Sequence, residues 1–442
     1  VFIQGWWFVM VREGYEKTGI GIIPEDWDFC FMGNIVDVNP RYDIPKQDEF
    51  LFLEMSAVNS NKADVDYWLK RKKEDCTSVR FKEGDTLFAR ITPCAENGKT
   101  AFIEKMDDEL AFGSTEFIIL SPKQDLVLSK YVYYLSKSHR VRSLAISMME
   151  GSTGRQRVPR EVFVETIKIP LPPLLEQKKI ADILSSVDEA IAKTEEIINQ
   201  NKELKKGLMQ ELLTKGIGHS KFKEVRLGIK KADVPKNWEV KTMSEMSSDN
   251  KYSLVDGPFG SNLTTDDYRE NGDVRLIQLQ NIKEFIFCND EKKYTYKEKY
   301  EEQIRSAANP GDIVLAKMPD PIGRACIVPD IEKNYLVVAD VIKFKPNEEY
   351  NNIFAMYFFN SKLFRDQVES YATGSTRLRL NLSNFKNLDV LVPPLDEQEK
   401  IAEILSSVDA KIEKEEEYKA ELEQLKKGLM QKLLIGEVRV RV

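Results

Sequence analysis

Two stretches of this chain set a Gly-Ser-Thr turn beside arginines: GSTGRQR, from Gly151 to Arg157, and GSTRLR, from Gly374 to Arg379. Arginine and lysine neutralise phosphates, and the backbone N–H groups of Gly/Ser turns can donate to phosphate oxygens, so both stretches have the chemistry of a phosphate grip. Each half of the chain also carries a Gly-Asp, an apolar run and a basic residue: EGDTLFAR (Gly84 to Arg90) and PGDIVLAK (Gly311 to Lys317). A Gly-basic pair follows each, Gly98-Lys99 and Gly323-Arg324. Ser129 to Arg160 holds seven Lys/Arg against the single Glu150, and Ser361 to Lys386 holds five against two acids. The plain alternative for any such run is a solvated charged face; its occurrence at the same place in both halves favours a shared role.

Other chemistry is missing. With five scattered cysteines and two histidines, His139 and His219, there is almost no material for a Cys/His zinc site. Asn97-Gly98-Lys99-Thr100 lacks the upstream glycine of a phosphate-binding loop. No Gly-x-Ser-x-Gly elbow occurs, and neither Pro-Pro has the Asp or Asn before it and the aromatic after it of an amino-methyltransferase loop. Glu239-Val240-Lys241 spells ExK without a preceding Pro-Asp and reads as a surface strand. Catalysis by this chain is therefore not expected. An odd number of unpaired thiols suits a reducing cytoplasm, and no apolar run approaches the roughly 20 residues of a membrane-spanning helix. The opening VFIQGWWFVM has no basic flank and is soon followed by Glu13 and Glu16, unlike a signal peptide. It is expected to be sequence added ahead of a start near Met10.

The elements that must position the basic segments come from a duplication. PPLLEQKKIADILSSVD…LKKGLMQELL, from Pro172, aligns without a gap to PPLDEQEKIAEILSSVD…LKKGLMQKLL, from Pro393, with 27 of 42 positions identical. Pro-Pro can open a helix. Ile180, Leu184, Val187 and Ile191, matched by Ile401, Leu405, Val408 and Ile412, repeat at 4-3-4 spacing, the seam of a helix that packs on another helix. The seam is expected to resume at Tyr418, Leu422, Leu425 and Leu429. Gly207 and Gly428 within these helices mark a close helix approach or a helix end. The chain's net charge is −7, and the two helical segments supply most of it, with 6 basic against 8 acidic and 7 against 11 residues. About 170 residues precede each helix and are weakly duplicated, opening with IIPEDW (Ile22 to Trp27) and DVPKNW (Asp233 to Trp238). Alternating apolar stretches such as Glu116 to Leu120 and Val337 to Phe344, with helical patches such as Tyr131 to Ser138, predict α/β (α+β) globules in duplicate. The expected division is 1–171, 172–215, 216–392 and 393–442: domain, helix, domain, helix with tail, in a pseudo-twofold order.

The paired PPLxEQxKIAxILSSVD helices, the GSTGRQRVP stretch, the DGPFGSNL segment (Asp256 to Leu263) and the openings that end in Trp27 and Trp238 resemble the specificity subunit of type I restriction-modification systems. The resemblance implies two target-recognition domains, each reading one half of a split sequence in double-stranded DNA. It implies two conserved helices that pair as an antiparallel coiled coil and hold the domains apart. It further implies a subunit that is not an enzyme and binds no cofactor. It would dock two methyltransferase subunits, which methylate adenine N6 using S-adenosylmethionine, and through them restriction and translocation subunits that use ATP and Mg²⁺. Because the two domains differ in sequence, the half-sites should differ. The residues expected to touch DNA are Arg155, Gln156 and Arg157 in the first domain and Arg377 and Arg379 in the second, with Arg90, Lys99, Lys317 and Arg324 as secondary candidates. Arginine can bridge guanine O6 and N7, glutamine can pair with adenine, and either can hold phosphate instead. Gly257, Gly260 and Ser261 shape a turn or face DNA, and the Ser185–Asp188 and Ser406–Asp409 segments serve either the helix pair or a methyltransferase surface. Two other readings stay open: a stand-alone sequence-specific DNA-binding protein, and a coiled-coil scaffold that binds no DNA.

Overall fold

A computed structural model describes residues 12–19, 21–319, 321–374 and 378–441. Residues 1–10 and Arg377 lie outside the described residues. Two compact units divide the chain: one runs to Glu196 and resumes at Glu416, and the other is Ile197–Glu415. The division falls inside both long helices, Leu174–Lys215 and Leu395–Leu433.

Each unit repeats one topology. In the first, a fully antiparallel sheet has the order Val36–Val38, Phe117–Pro122, Thr86–Ala89, Thr100–Phe102. In the second, Leu254–Asp256, Val341–Phe344, Ile313–Ala316 and Ala325–Ile327 follow the same order. A second sheet in each unit contains one parallel pair, Glu49–Leu53 with Ala111–Gly113 and Val274–Ile277 with Tyr335–Val337. The alternating stretch Val337 to Phe344 spans two strands in two sheets, Tyr335–Val337 and Val341–Phe344. The chain turns at Ala339-Asp340, where the Val341 N–H donates to Val338 O at 2.9 Å. Helices Ser129–Lys137 and His139–Ser147 cover the first unit's sheet, and Asn352–Phe359 and Lys362–Tyr371 cover the second's. Ser138 and Ser361 each cap the second helix of their pair through a backbone N–H three residues on, satisfying a donor the helix cannot.

The start of one long helix and the end of the other meet in each core. Ile180 and Leu184 pack with Trp27, Tyr131 and Phe163, and with Leu433 and Leu434. In the second unit Ile401 and Leu405 pack with Trp238 and Phe358, and with Leu212 and Leu213. Side-chain pairs give the direction. Asp188 pairs with Lys426, and Glu195 with Lys419 at 3.6 Å, so seven residues forward on one helix is seven back on the other. In the second unit Lys205 pairs with Asp409 at 2.6 Å. The helix segments are antiparallel within each unit. Val187 and Ile412 are buried, whereas Ile191 and Val408 are half-buried. Tyr418 and Leu425, expected in the seam, are about half exposed. Gly207 and Gly428 lie inside the helices, and a Cβ added to either would meet nothing within 4 Å. They therefore mark neither a close helix approach nor a helix end.

Candidate nucleic-acid interface

The Gly-Asp pairs are turns. Gly84 and Gly311 adopt φ of +90° and +89°, open to glycine at little cost. Asp85 and Asp312 are buried and accept the backbone N–H three residues earlier, from Lys82 and Asn309, each at 2.9 Å. Burial raises both carboxyl pKa values, against these hydrogen bonds. The strands that follow deliver Arg90 and Lys317 to matching places: Arg90 N–H donates to Glu116 O and Lys317 N–H to Asp340 O, both at 2.9 Å. Val158 N–H donates back to Arg90 O, and Leu380 N–H to Lys317 O.

The residues flanking the two Gly-Ser-Thr stretches close onto the same spots, residues 375–377 lying outside those described. Glu150 and Arg157 exchange two backbone hydrogen bonds, as do Thr373 and Arg379. The Arg157 guanidinium grips Glu116 with two N–H groups, at 2.9 and 2.7 Å, which also raises its pKa. Arg379 pairs with Asp340 at 2.6 Å. These arginines are held by carboxylates while about two-fifths of each side chain stays in solvent. Arg155 is exposed, Gln156 is half-buried with its carbonyl taken by Thr92 N–H, and Arg90 is half-buried.

The other secondary candidates point inward. Lys99 Nζ donates to Met55 O at 2.9 Å. Arg324, 6% exposed, donates to the carbonyls of Leu279, Ile282, Met318 and Pro321. Lys317, 3% exposed, pairs with Asp256 at 2.8 Å. In this conformation Lys317 and Arg324 are internal fasteners, their heads held by carboxylate and carbonyl oxygens, while the half-buried Lys99 is tied to one carbonyl. Much of the basic run Ser129 to Arg160 is engaged likewise. Lys130 pairs with Glu104, Arg142 donates to Ala95 O and Glu96 O, Arg160 pairs with Glu161, and Lys137 donates to Ser60 O and Gly98 O. Lys137 stands on the wall of a cleft of about 810 Å³, also lined by Asp188, Lys426 and Arg142. Burial, with Lys426 and Arg142 nearby, lowers its pKa to about 7.

The helix motifs fasten the domains. Glu176 Oε2 accepts the Trp27 indole N–H, and Glu397 Oε2 that of Trp238, each at 3.0 Å. Arg439 bridges Glu176 to Asp26, and His219 Nε2 lies 2.8 Å from Glu397. Gln177 and Gln398 reach back to Pro172 O and Pro393 O at 2.8 Å, and each also accepts a backbone N–H from its domain, from Leu128 and Asn351. The Ser-Ser-Val-Asp segments follow suit. Tyr134 donates to Asp188 at 2.8 Å and Tyr357 to Asp409 at 2.6 Å, and these carboxylates also hold Lys426 and Lys205. Reading the cations alone misses these acids and tyrosines. The repeat offset exposes part of the set, since it maps Asp188 and Lys205 onto Asp409 and Lys426. Among the described residues no helix is long and apolar enough to cross a membrane.

Comparison with known proteins agrees with this duplicated build. The type I restriction enzyme MjaVIII specificity subunit of Methanocaldococcus jannaschii is 30% identical over 442 residues, covering 97% of both chains. The putative MjaX specificity subunit of the same organism is 26% identical over 97% of this chain and 98% of its own. Among solved structures, one described as the basis of complex assembly and conformational transition of the type I R-M system covers 94% of this chain and 99% of its own, with a TM-score of 0.58 and 16% identity. The type I restriction-modification S subunit from M. genitalium covers 92% and 96%, with a TM-score of 0.51 and 14% identity. At such identities the solved structures speak for the fold. The model of the type I restriction modification DNA specificity domain matches residues 24–203 and again residues 235–424, and the chain belongs to that family.

Proposed function

We propose that this chain is the non-catalytic DNA-recognition subunit of a type I restriction-modification complex. Its two domains, residues 1–171 and 216–392, each read one half of an asymmetric split site. The observation that carries this reading is a fastening built twice and a surface built differently. Trp27, Glu176 and Gln177 recur as Trp238, Glu397 and Gln398, yet the loops beside the acid-held arginines differ between the domains. Two readers joined by one chain suit two half-sites at a fixed gap, as two identical subunits suit a palindrome. The long helices, residues 172–215 and 393–442 with the tail, set that gap and dock two adenine-N6 methyltransferase subunits, through which restriction subunits join. Leu204 and Leu425, equivalent in the repeat, are each about half exposed and lie beside Gly207 and Gly428, whose faces are open. A leucine kept in solvent at the same place twice supports a partner there, in the cytoplasm where such a complex acts. Exchanging residues 216–392 for the corresponding domain of a relative tests the reading. The methylated site should change in one half only, and a change in both halves or neither would count against it.

A further inference from the structure

In the second unit an exposed aromatic ring stands among basic side chains just past the edge strand Leu254–Asp256. Strand Leu254–Asp256 ends at Gly257, whose N–H donates to Val341 O at 3.1 Å. Pro258 and Phe259 follow. Phe259 is 42% exposed. The ring is held there. A Cβ on Gly257 would overlap the Val338 carbonyl, and Gly260 takes φ of +60°, so the turn allows little variation. Lys317 Nζ lies 4.7 Å and Arg379 Cζ 4.9 Å from the ring centroid, both in range of a cation–π contact. Asp256 fixes Lys317, and Asp340 fixes Arg379. Arg305, on the same Asp256 at 3.3 Å, adds a mostly exposed guanidinium.

An apolar ring locked in solvent beside cations suits a duplex: the buried Lys317 steadies the ring, the accessible Arg379 and Arg305 meet phosphates or base acceptors, and the ring meets the apolar feature a base edge offers, the thymine C5-methyl. We infer that Phe259 reads a thymine in the half-site of the second domain by packing on that methyl group. The inference rests on the proposed function.

The test uses the assembled methyltransferase complex and duplexes in which single thymines are replaced by deoxyuridine, which removes only the methyl. Phe259→Ala should weaken binding to the native site about 3- to 10-fold. One uracil in the second half-site should weaken the wild-type complex by a similar factor and leave the F259A complex unaffected. Phe259→Leu should retain part of the discrimination, which separates lost contact from lost folding. Unchanged binding by F259A, full additivity with every uracil, or a second half-site without thymine would overturn the inference. A wild-type complex that selects no split site would instead overturn the functional reading beneath it, a result recognisable before any variant is made.

Discussion

Glu397 accepts the indole N–H of Trp238 and the backbone N–H of Ile217 where little water reaches. Its removal orphans these buried donors, so Glu397→Ala should cost about 2–4 kcal/mol, seen as a lower urea midpoint. A loss under about 0.5 kcal/mol would mean that the fastening is incidental. Lys137 gives a pH signature. Burial lowers its pKa to about 7, below the usual lysine value, so between about pH 7 and pH 10 the unfolded chain binds a proton that the folded chain does not. Stability relative to Lys137→Met should therefore rise with pH through that window, by on the order of 2 kcal/mol or more, and be lowest below pH 7. A pH-independent difference would contradict the buried placement. At this scale the sequence was only partly legible. A basic letter does not say whether carbonyls or solvent surround its head, which is why Lys99, Lys317 and Arg324 read like Arg155 until the fold turned them inward.

The long helices were legible because their identity repeats at a fixed offset and their apolar spacing is helical. Their faces were less so. Ile180 and Leu184 serve the domain core as well as the leucines of the other helix, and no spacing rule separates a helix seam from a domain seat. Strand ends within Val337 to Phe344 were not legible, because the turn at Ala339-Asp340 contains neither glycine nor proline. The exposed leucines carry the prediction at this scale. Leu204→Lys or Leu425→Lys should leave circular dichroism and thermal stability nearly unchanged, since surface substitutions usually move stability by under about 0.5 kcal/mol. Each should reduce methyltransferase copies in the purified complex, measured by native mass spectrometry. Unaltered stoichiometry in the double variant would remove the docking assignment.

For the whole molecule, the pseudo-twofold plan was visible in the order domain, helix, domain, helix, and the fold repeats it sheet for sheet. The proposed DNA-reading surface was not, because the loops beside the acid-held arginines differ in sequence between the domains. The net charge of −7 fits the proposed complex, in which partner subunits would share the grip on the DNA backbone, and binding by the assembled complex should weaken steeply with salt. If the helices act as a ruler, one inserted heptad should lengthen or abolish the permitted gap in a methylation assay, whereas an unchanged gap would dismiss the ruler. The most direct measurement is a genome-wide map of N6-methyladenine in cells expressing this chain with its methyltransferase. The account predicts a single motif with two unlike halves and an unread gap of constant length. A continuous motif, a palindrome, or methylation without any motif would contradict it.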